Sequence, residues 1–275
     1  MAPQRRAAER KLAKALRRAF ASQAAALLKQ IEAQRVPLLA AQQRARERTT
    51  LKELPIKIDL DWGAETARMT AELGNLIDGI LAQASGEVEK RYRHIRVRLT
   101  WDLWDAAAQQ RAQVYKYDLI KDINDVTRDQ LGKTVGAWIE SDEGLPALAE
   151  RVRKLVPPKS ALGTRDRATL IAQTETTRVY ADTRLAGMKA AGLRQMCWRT
   201  ANDDIVCPIC QALGMANGGE GAIGDVASGM FLNALDGKKY SCPAHPGCRC
   251  WIVENVTELE ALTAFDAGTP FDIGT

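Results

Sequence analysis

Histidine is almost absent from this 275-residue sequence: there are two, His94 and His245, far apart in the chain. A His-Glu-x-x-His metalloprotease motif needs two on one helical face, so that chemistry is excluded. A nucleobase-deaminase site needs His-x-Glu ahead of Pro-Cys-x-x-Cys. Here His94 is followed by Ile95 and Arg96, and the proline lies inside the cysteine pair. Aromatic residues are also scarce, at 5%, while alanine recurs in polar-punctuated runs, which favours helices over sheets. No apolar stretch reaches the roughly 18 residues that a membrane span requires. The basic N-terminus lacks an apolar segment before a cleavage site, so it does not read as a secretory signal, and it shares only Arg and Ala content with transit peptides. These absences point to a soluble protein made in a reducing cytosol. In that compartment clustered cysteines bind metal more often than they pair.

What is present is unevenly placed. Residues 1–48 carry twelve basic side chains against three acids (Glu9, Glu32 and Glu47), a local charge of +9. The whole chain is +5, so the remaining 227 residues sum to −4. Such asymmetry fits either an arm for nucleic acid or another anionic surface, or a solvated helix face.

Helical spacing runs from Ala7 to about Arg48 through Leu12, Leu16, Phe20, Leu27, Leu28 and Ile31, with Pro37 expected to interrupt it. Leu51 to Trp62 reads as an extended connection. A second helical block covers about Ala64 to Ile120, with an apolar stripe at Leu73, Leu76, Ile77, Ile80 and Leu81. Trp101 and Trp104 share a helix face and read as core, and His94, among five cations, reads as a surface residue. Further helices are expected from Val126 to Glu140 and from Leu145 to Leu155. Pro157-Pro158 marks a boundary. A long helix then starts near Thr164 as N-cap and ends at Ala191, with Gly192 placed for a left-handed residue. Arg194 to Thr200 and Arg249 to Val256 read as strands able to pair, Asn202-Asp203-Asp204 as a turn, residues 214–239 as a Gly-rich loop, and Thr263 to Thr275 as a tail. The domain reading is a basic helical arm (1–60), a helical domain (61–156), a Cys/His module (157–260) and the tail (261–275).

Six cysteines complete the inventory, and five fall after residue 206. Cys207-Pro208-Ile209-Cys210 is followed by thirty-four residues and then His245-Pro246-Gly247-Cys248-Arg249-Cys250. A Cys-x2-Cys turn lets two thiolates meet one tetrahedral ion at about 2.3 Å, and His-x2-Cys supplies an imidazole and a third thiolate. Cys207, Cys210, His245 and Cys248 are therefore the candidate ligands of one structural zinc, closed to catalytic water. Cys250 could replace His245 or Cys248, Cys242 is a fallback, and Cys197 reads as a small buried hydrophobe. The competing readings are disulfides or free core thiols. A disulfide stabilises by about 2–4 kcal/mol, whereas a structural zinc contributes an apparent 10–16 kcal/mol or roughly that.

Taken together, these residues resemble the phage Mu F-like, or phage head morphogenesis, family of minor head proteins. The resemblance is carried by Ala172-Gln173-Thr174-Glu175 with Tyr180, Trp198-Arg199-Thr200, Asp203 and Asp204, the Cys207 and His245 clusters, and Leu213-Gly214. Asn124-Asp125-Val126-Thr127 and Trp138 are similar to its more variable helical part. Gln173 stands where the family often has a basic residue, and Cys242 is additional. The resemblance implies a structural virion protein at the portal vertex, needed for head assembly or DNA delivery. Its implied partners are the portal protein and the major capsid protein, with no membrane and with host cytoplasm as the place of assembly. The basic arm would meet packaged double-stranded DNA. Glu175 is a candidate to pair with an Arg and fix the long helix against the zinc module, or else a solvated acid.

The expected fold class is mainly α, with a helical N-terminal region and a small C-terminal α+β zinc-stapled module. No catalytic residue and no cofactor besides zinc is expected. The alternatives are a zinc-containing DNA-processing enzyme, using Asp203, Asp204 and Glu220 in the Gly-rich region, or a zinc-ribbon DNA-binding protein. An enzyme predicts a convergent pocket of perturbed ionisable groups. A ribbon predicts cations around the metal, yet most lie at the other end of the chain.

Overall fold

The computed structural model describes residues 3–47, 60–94, 101–141, 143–155, 167–201 and 206–258; within 101–118 it describes the backbone alone. Seven α-helices and five strands follow one another there: α1 Pro3–Ala33, α2 Arg35–Arg46, α3 Trp62–His94, α4 Trp101–Ile139, α5 Leu145–Leu155, α6 Arg167–Ala190, β1 Gln195–Arg199, α7 Pro208–Met215, β2 Ile223–Asp225, β3 Met230–Leu232, β4 Lys239–Tyr240 and β5 Trp251–Glu254. The expected class, helical with a small strand-containing C-terminal part, is what the chain adopts. No helix of the described residues is long and apolar enough to cross a membrane.

These elements form two compact units, one of residues 1–10, 76–113 and 170–275, the other of 11–75 and 114–169. The second unit is all helix. Its core gathers Leu27, Ile31, Leu38, Leu131, Trp138, Leu148 and Val152. Two of its buried polar groups are held across helices: Gln23 donates to Asn124 (2.8 Å), which donates to Thr66 (2.9 Å). Satisfying each amide this way avoids the cost of an orphaned polar group. The sequence reading ends one helical block at Ile120 and starts the next at Val126, yet α4 runs through without a break. Asn124 and Thr127 are poor helix formers, but α4 includes them because Thr127 bonds back to the Ile123 carbonyl at 2.8 Å and Asn124 is paired. Similarly, the helix break falls at Gln34 rather than at Pro37. Pro37 sits in the first turn of α2, where a missing N–H costs nothing.

In the first unit α6 is capped as the sequence suggests. Gly192 takes φ +74°. Its N–H reaches the Lys189 carbonyl at 3.1 Å, and that of Leu193 the Met188 carbonyl at 3.0 Å, a Schellman closure. The chain then enters an antiparallel sheet of order β4-β3-β2-β1-β5. β1 and β5 pair as expected, with Trp198 opposite Ile252 and Cys197 opposite Val253. The Gly-rich stretch 214–239 is not a loop. It carries a short 3-10 turn and β2, β3 and β4, strands of two or three residues whose glycines serve the turns. Gly221 is the sharpest case: at φ +88°, an added Cβ would stand 1.9 Å from the Trp198 carbonyl oxygen. Trp198 and Phe231 meet edge to face, centroids 5.1 Å apart, in a core that includes Cys210, Cys248 and Cys250. His94 is exposed, as expected. The expected extended segment, the Pro157-Pro158 boundary, the Thr164 cap, the Asn202 turn and the C-terminal tail lie wholly or mostly outside the described residues, as do the side chains of Trp101 and Trp104.

Candidate metal centre

The first half-site is built by the start of α7. Cys207 is its N-cap and Pro208 its first residue, an arrangement that leaves the Cys210 N–H free to donate to Cys207 Sγ at 3.4 Å. The second half-site is a turn closed by the Cys248 N–H on the His245 carbonyl, 3.1 Å. In the first turn the x2 spacing brings the two thiols together, whereas His245 and Cys248 of the second turn fall in different donor groups.

The turns face each other. His245 Nε2 lies 3.1 Å from Cys207 Sγ and 3.3 Å from Cys210 Sγ, and Cys210 Sγ lies 3.7 Å from Cys248 Sγ. Four ligands about 2.3 Å from a tetrahedral centre stand about 3.8 Å apart. The Cys210–Cys248 distance fits that edge, and the two imidazole–sulfur distances are shorter than it. The imidazole is oriented for that task. Its Nδ1 is 2.9 Å from the Pro246 carbonyl, so a proton there is held by the carbonyl and the Nε2 lone pair faces the sulfurs. Cys207, Cys210 and His245 make one group with donor atoms within 4.8 Å, and Cys210, Cys248 and Cys250 make a second. Cys210 belongs to both. The cluster could therefore hold a metal ion, and it offers five donors for four places.

Electrostatics fits the same reading. Hydrogen bonding with Cys248, then with Cys250, raises the Cys210 thiol pKa far above the ordinary value. The same contacts, that from Cys210 first, hold Cys248 down toward the thiolate. Three buried sulfurs thus share protons that a dication would displace. Contact with Cys210 lowers the Cys250 thiol, but contact with Cys248, burial and the Cys248 charge together hold it above the ordinary value. The buried Trp198 Nε1, which has no hydrogen-bond acceptor at normal distance, is only a minor lowering cause. An orphaned indole N–H beside sulfur is the kind of outer donor that supports a thiolate ligand. Cys242 belongs to neither group. Burial pushes its thiol well above the usual range, with the sulfurs of Cys248 and Cys250 adding to the effect. Cys197 is buried within β1, as expected of a small hydrophobe.

The module is anchored on α6. Thr174 Oγ1 accepts the Gly247 N–H at 2.7 Å, and Thr177 Oγ1 donates to the Cys248 carbonyl at 2.9 Å. Glu175 instead pairs with Arg178 on its own helix, Oε2 to Nε 3.1 Å. Its carboxyl is raised, by burial first, with Arg178 opposing. The two threonines hold the second half-site, a role their residue type alone did not signal, although Thr174 lies in the quoted motif. Of the acids named for an enzymatic reading, Asp203 and Asp204 lie outside the described residues, and Glu220 is exposed at a turn.

Comparison with curated proteins and with solved structures gave no match. Residues 129–253, from within α4 through most of β5, match the model of the family described as Phage Mu protein F like protein, and this part of the chain is shown to be similar to that family.

Proposed function

We propose that the chain is a structural minor protein of a phage or prophage head, acting without catalysis at the portal vertex in head morphogenesis and in DNA packaging or delivery. The observation that supports this most is the family match, which ends within the strand that follows the Cys/His cluster and includes all of the cluster. The cluster in turn is read as a zinc staple formed by Cys207, Cys210, His245 and Cys248, with Cys250 as the competing donor. Five protein donors leave no open position for water, which suits a structural ion rather than a catalytic one. Zinc chemistry here would be confined to folding: it would tie the start of α7 to the 245–248 turn, and through Thr174 and Thr177 to α6.

The partners proposed are the portal and major capsid proteins, with double-stranded DNA reached through the basic N-terminal helix. Lys11, Lys14 and Arg18 are exposed at a spacing that puts them on one face of α1. The test is genetic and structural. Heads purified from a strain whose gene for this chain is deleted should assemble poorly or lack DNA, and wild-type heads should contain the chain at few copies by quantitative mass spectrometry. Absence of the chain from purified heads, with normal DNA filling in the deletion strain, would overturn the reading.

A further inference from the structure

Within the first unit, the start of α1 reaches the cysteine turn through α6. Arg5 is only 5% exposed, a depth that a guanidinium reaches when it is paired. Its Nε lies 3.4 Å from Glu9 Oε1, its Cζ lies 5.7 Å from the centre of the Tyr180 ring, and its Nη2 donates to Thr177 Oγ1. The Thr177 hydroxyl has a single proton, which faces the carbonyls of Gln173 (2.8 Å) and Cys248 (2.9 Å). By taking a lone pair on the remaining side, the guanidinium fixes the hydroxyl rotor and polarises the O–H toward those carbonyls. Glu9 reaches the same turn through charge. Burial raises its carboxyl, and Arg5 and then Arg249, the residue between Cys248 and Cys250, oppose the rise. A buried ion pair adds little net stability, because desolvation offsets its attraction. What Arg5 and Glu9 supply is position.

We propose that the first turns of α1 are a latch on the metal centre, with Arg5 as a positioning residue for Cys248. Seated on Thr177 and Tyr180, they hold the backbone of the second half-site where it keeps the ion. The ion, by fixing Cys248, in turn holds the seat on which Arg5 rests. Coupling between two binding events is reciprocal, so ion and latch favour each other by the same factor. Loss of the ion then frees the start of the helix read as the DNA arm. This inference rests on the zinc reading above, and the experiment tells the failure of one from the failure of the other.

The experiment measures the metal content of the full chain, as purified and after incubation with a zinc salt, and then the release of zinc to excess 4-(2-pyridylazo)resorcinol by absorbance. Arg5→Gln should release the ion at least about tenfold faster, the lower bound for one charge-assisted hydrogen bond. Arg10→Gln, an exposed cation on the same helix, should release it at the wild-type rate. In a Thr177→Val background Arg5→Gln should add little, because the hydroxyl that carries the effect is gone. Circular dichroism checks the fold of each variant. The reciprocal measurement needs none: in the unaltered chain, amide hydrogen exchange at residues 7–10 should be at least about tenfold slower with zinc than after its removal. Release at the wild-type rate from a folded Arg5→Gln, equal acceleration in Arg10→Gln, full additivity with Thr177→Val, or exchange at residues 7–10 indifferent to zinc overturns the latch and leaves the zinc reading standing. A chain that holds no zinc as purified and takes none from the salt overturns both.

Discussion

Thr177 Oγ1 on α6 lies 2.9 Å from the carbonyl oxygen of Cys248, so the helix that carries Thr174 and Glu175 grips the backbone of a candidate metal ligand. The same oxygen receives Arg5 from the first turns of α1. One hydroxyl thus connects the N-terminal residues of the chain to the cysteine turn. The hydroxyl's one proton is shared with the Gln173 carbonyl at 2.8 Å, and Thr177→Val keeps the shape while removing all three bonds. It should lower stability by about 1–2 kcal/mol, since a buried carbonyl and a guanidinium each lose a partner. Urea unfolding measures that loss. The variant should also surrender its metal to a chelator faster than wild type, which a loss of packing elsewhere would not cause.

That the Cys207 and His245 turns could come together was legible from spacing, and what holds them was not. Two x2 turns are a local property, so Cys207, Cys210, His245 and Cys248 could be named before any fold was known. Thr174 and Thr177 act on residues more than seventy positions away. Nothing in a helical threonine announces such a partner. β1 and β5 were visible because their alternation spans four or five residues, whereas β2, β3 and β4, at two or three, fall below any period that can be counted. The continuity of α4 was hidden for a related reason: the partners that hold Asn124 within the helix, Gln23 and Thr66, lie far away in the sequence.

The fourth ligand can be settled by substitution. Cys210 joins both donor groups, so Cys210→Ser should abolish metal retention outright. Cys248 stands at a tetrahedral edge from Cys210 and shares its turn with His245, so Cys248→Ser should lose the ion. Cys250→Ser should keep one zinc per chain with weaker affinity. Native mass spectrometry reads the stoichiometry. The opposite pattern, with the ion kept by Cys248→Ser and lost from Cys250→Ser, would move the fourth bond to Cys250.

Glu175 predicts a pH dependence. Burial raises its carboxyl above the ordinary 4.5, and Arg178 only partly opposes this. The folded chain therefore binds this proton more tightly than the unfolded chain does. The resulting stabilisation is complete below the unfolded value and is lost as pH rises through the folded one. At neutral pH the ionised carboxylate is a net cost, so Glu175→Gln should raise the thermal midpoint at pH 7. The gain should shrink toward zero below pH 4.5. A gain equal at both pH values would mean that the glutamine stabilises by another route.

Two glycines of the 214–239 segment separate conformational from steric demand. Both have positive φ, but Gly218 has open space where a Cβ would go, whereas at Gly221 the Trp198 carbonyl lies in the way. Gly218→Ala should cost about 1 kcal/mol, the ordinary penalty of a left-handed alanine. Gly221→Ala must also push β1 aside, where Trp198 N–H bonds the Ala222 carbonyl at 2.9 Å. A cost above about 3 kcal/mol is expected. Chemical denaturation of the pair should show a gap of at least about 2 kcal/mol between them.

The basic helix offers the clearest separation of DNA contact from solvated charge. If Lys11, Lys14 and Arg18 neutralise phosphates, each releases condensed counterions, and the logarithm of affinity falls with that of salt by about 0.9 per contact. Replacing all three with glutamine should weaken binding of the full chain to double-stranded DNA and flatten the salt slope by about 3. The substitutions leave the cysteine cluster untouched, so metal content should not change. They also lie on the exposed side of a helix whose opposite side buries Leu12, Leu16 and Phe20, so folding should survive them. A slope that does not change would show that these cations face solvent. Loss of affinity with the slope retained would mean that α1 supports a contact made elsewhere.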